Sequence, residues 1–499
     1  MKKFLVIPMG GVGQRFINKG YKIYKPFLPV DSNQTVFKNI INNFSSNKTE
    51  TIIIGNKNTI KKKYLKLLPK KIQFIEIKNH KKGPLFSIYL AYERLNKIIK
   101  NHSLFICYSD INWKWNYNKT LKKLKKKNAV IFTHKGFHPH LELDNKSDFC
   151  IENNISVIKS IKQKKPHTLD YKKELLAIGC YYFRNIKLIK NCFKSINFFK
   201  NNKFKGEFYL VSLIKTLLKM NIVINYENVK SFVHLGTPDQ YEDFIYWKRI
   251  FEKKNSKTLR LAKYPNIMLI GGKGTRVREL GYRKPFLPIN NIEIFKFIFR
   301  KFGTREKIII TNHEFKNLFS NSEYFIHLIK KTNSMFSTVC NSEKFIEKFK
   351  FFFLLSCDCF GEINKKEFNI LLKNQNPDLV LFGYKFTRLQ KNLTNSHTEL
   401  KVNKNKILRI NVKSNYRNST SGLAGFFWIK DKNVFRYFKE FKKKLKPKNR
   451  KRELIIDDYF NYLHKNNLVK ISYYNLKNYV HIGSVSEYRE YNYWEKYFL

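Results

Sequence analysis

The chain has 499 residues, of which 43% are hydrophobic, and this combination predicts two or three globular domains and excludes a wholly disordered chain. Its 98 Lys and Arg residues exceed its 37 Asp and Glu residues, which gives a formal net charge of +61. No stretch reaches the roughly 18 apolar residues of a membrane-spanning helix, so we expect no membrane span.

The predicted elements of the first half alternate between strands and helices. The apolar run KFLVIPM predicts a strand, VFKNIINNF a helix and ETIIIGN a second strand. GPLFSIYLAYERLNKIIK has helical apolar spacing, and SLFICYSD and NAVIFTH are again typical of strands. Continuous apolar strands between helices predict an α/β fold with a mostly parallel sheet flanked by helices. Such sheets bind ligands at the carboxyl ends of their strands.

The chain carries this pattern twice. GGVGQRF and the KPFLP that follows recur as GGKGTRV and KPFLP, and FVHLGTPDQYEDF recurs as YVHIGSVSEYREY. Each copy ends with an expected helix cap, Thr237 with Gln240 in the first and Ser484 with Glu487 in the second. We therefore predict three segments along the chain: a first domain at 1–251, a polar linker at 252–265 and a second, diverged domain at 266–499.

A glycine-rich loop follows the first strand of each copy. It fits neither the G-x-x-x-x-G-K-[ST] phosphate loop nor the G-x-G-x-x-G dinucleotide fingerprint. Its backbone N–H groups can still cradle an anion, and a following arginine (Arg15, Arg276) and a lysine before proline (Lys25, Lys284) can bind phosphate oxygens. Retention of these residues in both copies favours a triphosphate-binding loop over a plain turn. The glycines concerned are Gly10, Gly11 and Gly13 in the first copy and Gly271, Gly272 and Gly274 in the second.

An aspartate ends a predicted buried strand in each copy, Asp110 in the first and Asp358 in the second. Both are expected at the sheet edge that carries the glycine loop. A carboxylate in that place is suited to hold Mg²⁺ against phosphates, and the alternative is a cap for the following helix. We favour the metal site for Asp110.

The glycine loop, the Lys-Pro pair and the later aspartate together resemble the sugar-phosphate nucleotidylyltransferases, or NDP-sugar pyrophosphorylases, whose signature is G-G-x-G-[ST]-R followed by P-K-P-L. The resemblance extends over most of each half and points to the branch found in bacterial surface-polysaccharide gene clusters. It implies two tandem Rossmann-like (GT-A-like) nucleotidyltransferase domains that use Mg²⁺. The implied reaction joins an NTP and a sugar 1-phosphate, or a related small phosphate ester, into an NDP-sugar with release of pyrophosphate.

The resemblance also implies roles for residues of the first copy. Arg15 would hold the β- and γ-phosphates, Lys25 the α-phosphate and Lys164 the phosphate of the sugar, while Asp110 would bind Mg²⁺. The remaining roles belong to residues that shape the binding site: Gly10, Gly11 and Gly13 around the nucleotide, Gly83 against the base, and Glu174 and Gly179 along the sugar.

Some residues depart from the family pattern. The family commonly has a second metal-binding aspartate where this chain has His234 and His481, so His234 becomes a candidate ligand beside Asp110. Gln14 replaces a small hydroxyl residue, and in the second copy Asn333 is expected opposite Gly83. We predict that the first copy is the catalyst, and that the second is either another transferase or a regulatory partner.

Two competing functions remain. A GT-A glycosyltransferase would carry a D-x-D motif, but INW follows Asp110, which disfavours that function. A polyanion-binding protein on inactive transferase domains would explain the positive charge. However, the lysines are scattered and no nucleic-acid motif occurs, so we favour a compositional origin and expect no specific nucleic-acid partner. The seven cysteines form no CxxC pair, which predicts reduced thiols and a cytoplasmic protein; the oligomeric state is left open.

Overall fold

The chain divides into two compact units in the computed structural model, Met1–Lys248 with Glu495–Leu499, and Arg249–Trp494. The structure describes residues 2–44, 49–57, 59–69, 71–142, 147–153, 156–194, 198–201, 203–252, 264–272, 274–319, 323–393, 396–414, 421–430, 432–444 and 454–499. Most of the predicted linker, residues 253–263, therefore lies outside the described residues.

The first unit alternates strands and helices, as its sequence predicts. Its strands are β1 Lys3–Pro8, β2 Thr49–Gly55, β3 Gln73–Glu76, β4 Ser103–Cys107, β5 Ile111–Trp113, β6 Ala129–Lys135, β7 Phe149–Glu152, β8 Ile158–Lys162, β9 Leu175–Phe183, β10 Lys203–Phe204, β11 Glu207–Phe208, β12 Ile224–Asn228 and β13 Phe232–His234. Its helices are α1 Gln14–Asn18, α2 Val36–Asn43, α3 Lys62–Leu65, α4 Pro84–Ile99, α5 Tyr117–Leu124, α6 Lys187–Lys194, α7 Phe198–Asn201, α8 Val211–Lys219 and α9 Pro238–Glu252.

One mixed sheet organises the described part of the first unit, in the order β12-β6-β9-β4-β1-β2-β3, with the β7–β8 hairpin attached to β9. The apolar run of β1 explains its central place. Phe4 and Val6 belong to one hydrophobic cluster, and Leu5 and Ile7 belong to another. Because successive side chains of a strand point to opposite faces, β1 is buried on both sides, which is typical of parallel strands covered by helices.

The second unit contains a second set of such elements. Its strands are β14 Asn266–Ile270, β15 Pro288–Ile289, β16 Ile292–Glu293, β17 Lys307–Asn312, β18 Phe325–Ile329, β19 Phe351–Ser356, β20 Cys359–Gly361, β21 Leu379–Tyr384, β22 Glu399–Asn403, β23 Lys406–Asn411, β24 Ser421–Lys430, β25 Ile471–Asn475 and β26 Tyr479–His481. Its helices are α10 Ile294–Phe302, α11 His313–Lys316, α12 Met335–Asn341, α13 Glu343–Ile346, α14 Lys365–Gln375, α15 Arg388–Asn392, α16 Phe438–Lys444, α17 Ile456–Lys465 and α18 Val485–Phe498.

The main sheet of the second unit repeats the strand order of the first. Its described strands run β18-β17-β14-β19-β24-β21-β25, with the β22–β23 hairpin attached to β24. β1 and β14 are each parallel to both of their neighbours. The predicted fold of two tandem α/β domains, each with a sheet flanked by helices, is therefore confirmed, and both sheets are mixed rather than mostly parallel. One long strand in each sheet, β9 or β24, is antiparallel to both of its neighbours, and its continuous apolar sequence gave no sign of that direction.

A small antiparallel ribbon lies beside the sheet in each unit and positions the candidate site. β5 pairs with β13 in the first unit, and β20 pairs with β26 in the second. The pairing places His234 opposite Ile111 and His481 opposite Cys359. Ile111 directly follows Asp110 in the sequence, and Cys359 directly follows Asp358. Among the described helices, none combines the length and apolar character that crossing a membrane requires.

Candidate functional site

The glycine loop of each unit packs against the lysine that follows it. Gly13 has φ 74° and Gly274 has φ 58°, the left-handed region that favours glycine. A Cβ atom on Gly13 would lie 3.6 Å from Cβ of Lys25, and one on Gly274 would lie 3.2 Å from Cβ of Lys284. The loop and the lysine are therefore held together as one structural feature in both units.

Lys25 reaches Asp110, which lies in the turn between β4 and β5. It begins a 3₁₀ turn at Lys25–Phe27, and its Nζ atom lies 2.9 Å from Oδ2 of Asp110. Burial by itself would raise the pKa of Asp110, but the charge of Lys25 and its hydrogen bond to the carboxylate lower that pKa to about 2. Asp110 is therefore an ionised carboxylate at the carboxyl edge of the sheet.

His234 lies beside Asp110. The backbone N–H of Leu235 donates to the carbonyl oxygen of Asp110 at 2.7 Å, which fixes the ribbon against the aspartate. A Cβ atom on Gly236 would lie 3.1 Å from both Oδ2 of Asp110 and Nε2 of His234, so the two side chains face one point. Burial lowers the pKa of His234, and the nearby cations Lys164, Lys25 and Arg15 lower it further. The imidazole is therefore neutral at pH 7 and can act as a ligand.

Lys164 approaches the same site from the β7–β8 hairpin. It has φ 59°, unusual for a residue with a side chain, and its backbone N–H donates to Oδ1 of Asp148 at 3.0 Å. Its Nζ atom lies 4.0 Å from the same oxygen and 4.8 Å from the centre of the Tyr209 ring. The charge of Lys164 also helps to lower the pKa of Asp110, so the lysine faces the carboxylate.

Arg15 and the loop glycines remain accessible. The side chain of Arg15 is exposed, and its charge acts on both Tyr209 and His234, which places the guanidinium on the site side of the loop. A Cβ atom on Gly11 would meet nothing within 4 Å. The hydroxyl of Tyr24 lies 2.7 Å from the carbonyl oxygen of Met9 and 2.8 Å from that of Gly11, so Tyr24 holds the backbone of the loop in place.

Gly83 precedes α4 with φ 83°. A Cβ atom there would lie 2.7 Å from the carbonyl oxygen of Phe208, so backbone packing requires glycine at this position. The corresponding N-cap of α12 in the second unit is Ser334, one residue beyond the expected Asn333.

Glu174 and Gly179 have clear contacts within the fold. The Glu174 carboxylate accepts hydrogen bonds from the backbone N–H groups of His167 at 2.8 Å and Thr168 at 2.6 Å. Gly179 has φ 92°, and a Cβ atom on it would lie 2.3 Å from the ring of Tyr108. Both residues thus shape the loop and strand next to the site.

The second unit repeats the lysine–aspartate contact, because Lys284 forms an ion pair with Asp358. The contacts around Asp358 differ from those around Asp110. The Ser356 hydroxyl donates to its carboxylate, and Nε2 of His481 lies 3.3 Å from its Oδ2. Burial by itself would lower the pKa of His481, but Glu487 and Asp358 raise it to about 9. The second aspartate is therefore surrounded by two cations and a hydroxyl donor.

Sequence reasoning missed Lys413, the counterpart of Lys164. It follows the β22–β23 hairpin as Lys164 follows β7–β8, and it shares the left-handed conformation, with φ 48°. Burial lowers the pKa of Lys413, and Arg276 is the nearby cation that adds most to this effect. An alignment of SIKQKKP in the first copy with INVKSNY in the second places Lys413 opposite Lys164, so the repeat itself contains the signal that identifies this residue.

Comparison with protein-family models and with curated protein sequences gives no match. About half of the chain is similar to each of several solved structures. The nucleoside-diphosphate-sugar pyrophosphorylase from Vibrio cholerae RC9 is 19% identical with a TM-score of 0.38, over 48% of this chain and 99% of that one. A UDP-glucose pyrophosphorylase complexed with UDP-glucose is 17% identical with a TM-score of 0.40, over 50% and 100%. The inositol-1-phosphate CTP transferase from T. maritima is 17% identical with a TM-score of 0.37, over 47% and 96%.

Proposed function

We propose that the first unit transfers a nucleotidyl group from an NTP to a sugar 1-phosphate or a related small phosphate ester, which yields an NDP-sugar and pyrophosphate. The observation that carries this proposal is the contact between Lys25 and Asp110 directly behind the glycine loop. Arg15 and Lys164 direct further positive charge to the same place. Three cations around one ionised carboxylate suit a bound triphosphate and its metal ion.

The proposed reaction needs no covalent enzyme intermediate. A phosphate oxygen of the sugar 1-phosphate forms a bond to the α-phosphorus of the NTP. The bond from that phosphorus to the oxygen bridging to the β-phosphate breaks, and pyrophosphate leaves with the electron pair. Catalysis of this kind relies on positioning and on neutralising phosphate charge. We assign Lys25 to the α-phosphate, Arg15 to the departing pyrophosphate and Lys164 to the sugar phosphate.

Asp110 is the residue that we propose to hold Mg²⁺. The donor set supports this role, because Mg²⁺ prefers oxygen and commonly binds through one or two carboxylates together with substrate phosphates. The low pKa of Asp110 keeps its oxygens available at any working pH. His234 faces the same point, but an imidazole suits softer metals better and is the secondary candidate. When bound, the ion would neutralise charge on the triphosphate.

We further propose that the product serves surface-polysaccharide assembly and that the enzyme works in the cytoplasm. The first part depends on the sequence motifs that resemble that branch of the family. The second part is supported by the seven cysteines, all of which have free thiols.

The direct test incubates the purified full chain with Mg²⁺, a panel of NTPs and a panel of sugar 1-phosphates. We expect pyrophosphate release and an NDP-sugar of the matching mass for at least one pair. The Lys164→Met variant is expected to raise the KM for the sugar 1-phosphate more than the KM for the NTP. Failure of every pair to release pyrophosphate would contradict the proposed function.

A further inference from the structure

Three potential metal ligands converge in the second unit: His397, His481 and Glu487. Among the described residues, these three side chains form a group in which the potential ligand atoms all lie within 4.8 Å of one another. His397 precedes β22, His481 ends β26 and Glu487 lies in the first turn of α18. The fold thus joins a hairpin, a ribbon and a helix at this point.

The ligand atoms surround a single oxygen. Nδ1 of His481 lies 2.7 Å from Oε1 of Glu487, and Nε2 of His397 lies 3.4 Å from the same oxygen. The two imidazole rings are 5.1 Å apart between centroids and are inclined by 72°. Two imidazole nitrogens and one carboxylate oxygen therefore lie close together at one largely buried place.

The remaining polar atoms of these side chains are already bound. Nε2 of His481 lies 3.3 Å from Oδ2 of Asp358, and Nδ1 of His397 lies 3.1 Å from the hydroxyl of Tyr384. Histidines that bind metals are usually oriented in this way, with the second ring nitrogen held by an oxygen. Oε2 of Glu487 accepts hydrogen bonds from the Gly483 N–H at 3.2 Å and the Ser484 hydroxyl at 2.9 Å, which leaves Oε1 facing the imidazoles.

His397 supplies independent support. Its side chain is 7% exposed, and its buried Nε2 atom approaches Oε1 of Glu487 at 3.4 Å, which is longer than the usual range of about 2.7–3.2 Å for an N–H···O hydrogen bond. Buried polar atoms normally have closer partners, so this weakly held nitrogen is available to a metal ion.

We propose that His397, His481 and Glu487 bind a divalent transition metal of the zinc class. Two imidazoles and one carboxylate are a donor set that Zn²⁺ prefers and Mg²⁺ does not. Ligands about 2.0–2.1 Å from a tetrahedral ion stand about 3.3 Å apart. The 3.4 Å separation of His397 from Glu487 matches this spacing, and the 2.7 Å contact of His481 has to lengthen slightly. Binding displaces the proton on Nδ1 of His481.

The first unit lacks this donor set. Ser147 and Gln240 stand at the places of His397 and Glu487, and only His234 matches His481. Asp148 is instead the counterpart of Thr398, since each side chain accepts a hydrogen bond from the backbone of Lys164 or Lys413. The amide oxygen of Gln240 accepts a hydrogen bond from the backbone of Thr237. The proposed site is therefore a property of the second unit, independent of nucleotidyl transfer by the first.

The test is a titration of the chelator-treated full chain with Zn²⁺, with binding followed by a competing chromophoric chelator. We expect one tightly bound Zn²⁺ per chain and a raised Tm. Glu487→Gln and His397→Gln should each remove that equivalent. Gln at position 487 keeps an amide oxygen for the helix cap, as Gln240 does, so this variant is expected to fold. The control is His464→Gln in the same unit, whose imidazole contacts only the carbonyl oxygen of Ile407 in the described structure and should retain the zinc.

Substitution with Co²⁺ gives a readout that needs no variant. A four-coordinate nitrogen and oxygen site predicts intense visible d–d absorption without a sulfur-to-metal charge-transfer band. Absence of zinc binding, full stoichiometry in both variants, or a cobalt spectrum dominated by thiolate bands would each overturn the proposal.

Discussion

Nζ of Lys25 lies 2.9 Å from Oδ2 of Asp110, and both side chains are mostly buried, with 19% and 16% of their surface exposed. The pair keeps the carboxylate ionised within the fold. Under the proposed function, a bound nucleotide gives Lys25 an α-phosphate and gives Asp110 a metal ion in exchange. Before substrate binds, the positive charge of Lys25 and the negative charge of Asp110 therefore neutralise each other.

The lysine pair identifies the catalytic unit. Lys25→Met should lower kcat about 10²–10³-fold, the usual cost of removing one charge-stabilising donor from a phosphoryl or acyl transfer site. Lys284→Met should leave turnover close to that of the unchanged chain. Pyrophosphate release under saturating substrates is the measurement, with Lys22→Met as an exposed control in the same loop. Loss of turnover in Lys284→Met alone would assign catalysis to the second unit.

The proposed role of Asp110 as a metal ligand predicts a changed response to Mg²⁺. Asp110→Asn should reduce turnover strongly and raise the Mg²⁺ concentration needed for half-maximal rate, because the amide is a weaker ligand and leaves Lys25 unpaired. Chelation of Mg²⁺ should abolish turnover of the unchanged chain reversibly. Asp170→Asn changes an exposed acid of the same unit and serves as the control. An unaltered Mg²⁺ dependence in Asp110→Asn would rule out this carboxylate as the ligand.

Substitutions at two glycines can distinguish the cost of backbone strain from the cost of steric overlap. Gly20 has φ 87° and open space where a Cβ atom would stand, while at Gly83, with φ 83°, that atom would lie 2.7 Å from the Phe208 carbonyl oxygen. Gly20→Ala should cost about 1–2 kcal/mol of unfolding free energy through its left-handed conformation. Gly83→Ala should cost about 1–3 kcal/mol more from overpacking. Urea denaturation measures both, and equal losses would show that the close approach is relieved.

The two histidines beside the aspartates should respond oppositely to pH. The pKa of His481 is raised from 6.5 to about 9, so its stabilisation is complete below pH 6.5 and is lost as pH rises through about 9. The pKa of His234 is lowered, so its burial costs stability as pH falls below about 6.5. Thermal unfolding in chelator across this range is the measurement. His481→Gln should flatten the alkaline loss and His234→Gln the acidic one, and a single shared trend would contradict the assignment.

The sequence predicted the parts of the fold and site that are encoded locally or repeated. The apolar runs predicted β1, β2 and β4, and the duplicated motif identified Lys25 with Lys284 and Asp110 with Asp358. The antiparallel direction of β9 was not predictable, because a strand buried on both faces has the same apolar pattern in either direction.

The proposed zinc site could not be predicted for a different reason. His397, His481 and Glu487 come from three separate segments, and no short motif links them. The pairing of β20 with β26 places His481, the cap at the start of α18 places Glu487, and the segment before β22 places His397. Lys413 was missed because the sequence around it has drifted, although its left-handed backbone has been kept.

The shared strand order of the two units has a practical consequence for protein engineering. Residues that align between the units occupy corresponding elements of the same strand order, so a substitution between such counterparts has already been accommodated once by this architecture. Ser147→His with Gln240→Glu would transplant the three-ligand arrangement next to His234, and Glu487→Gln reverses part of it. Such exchanges allow the two halves of one chain to serve as design templates for each other.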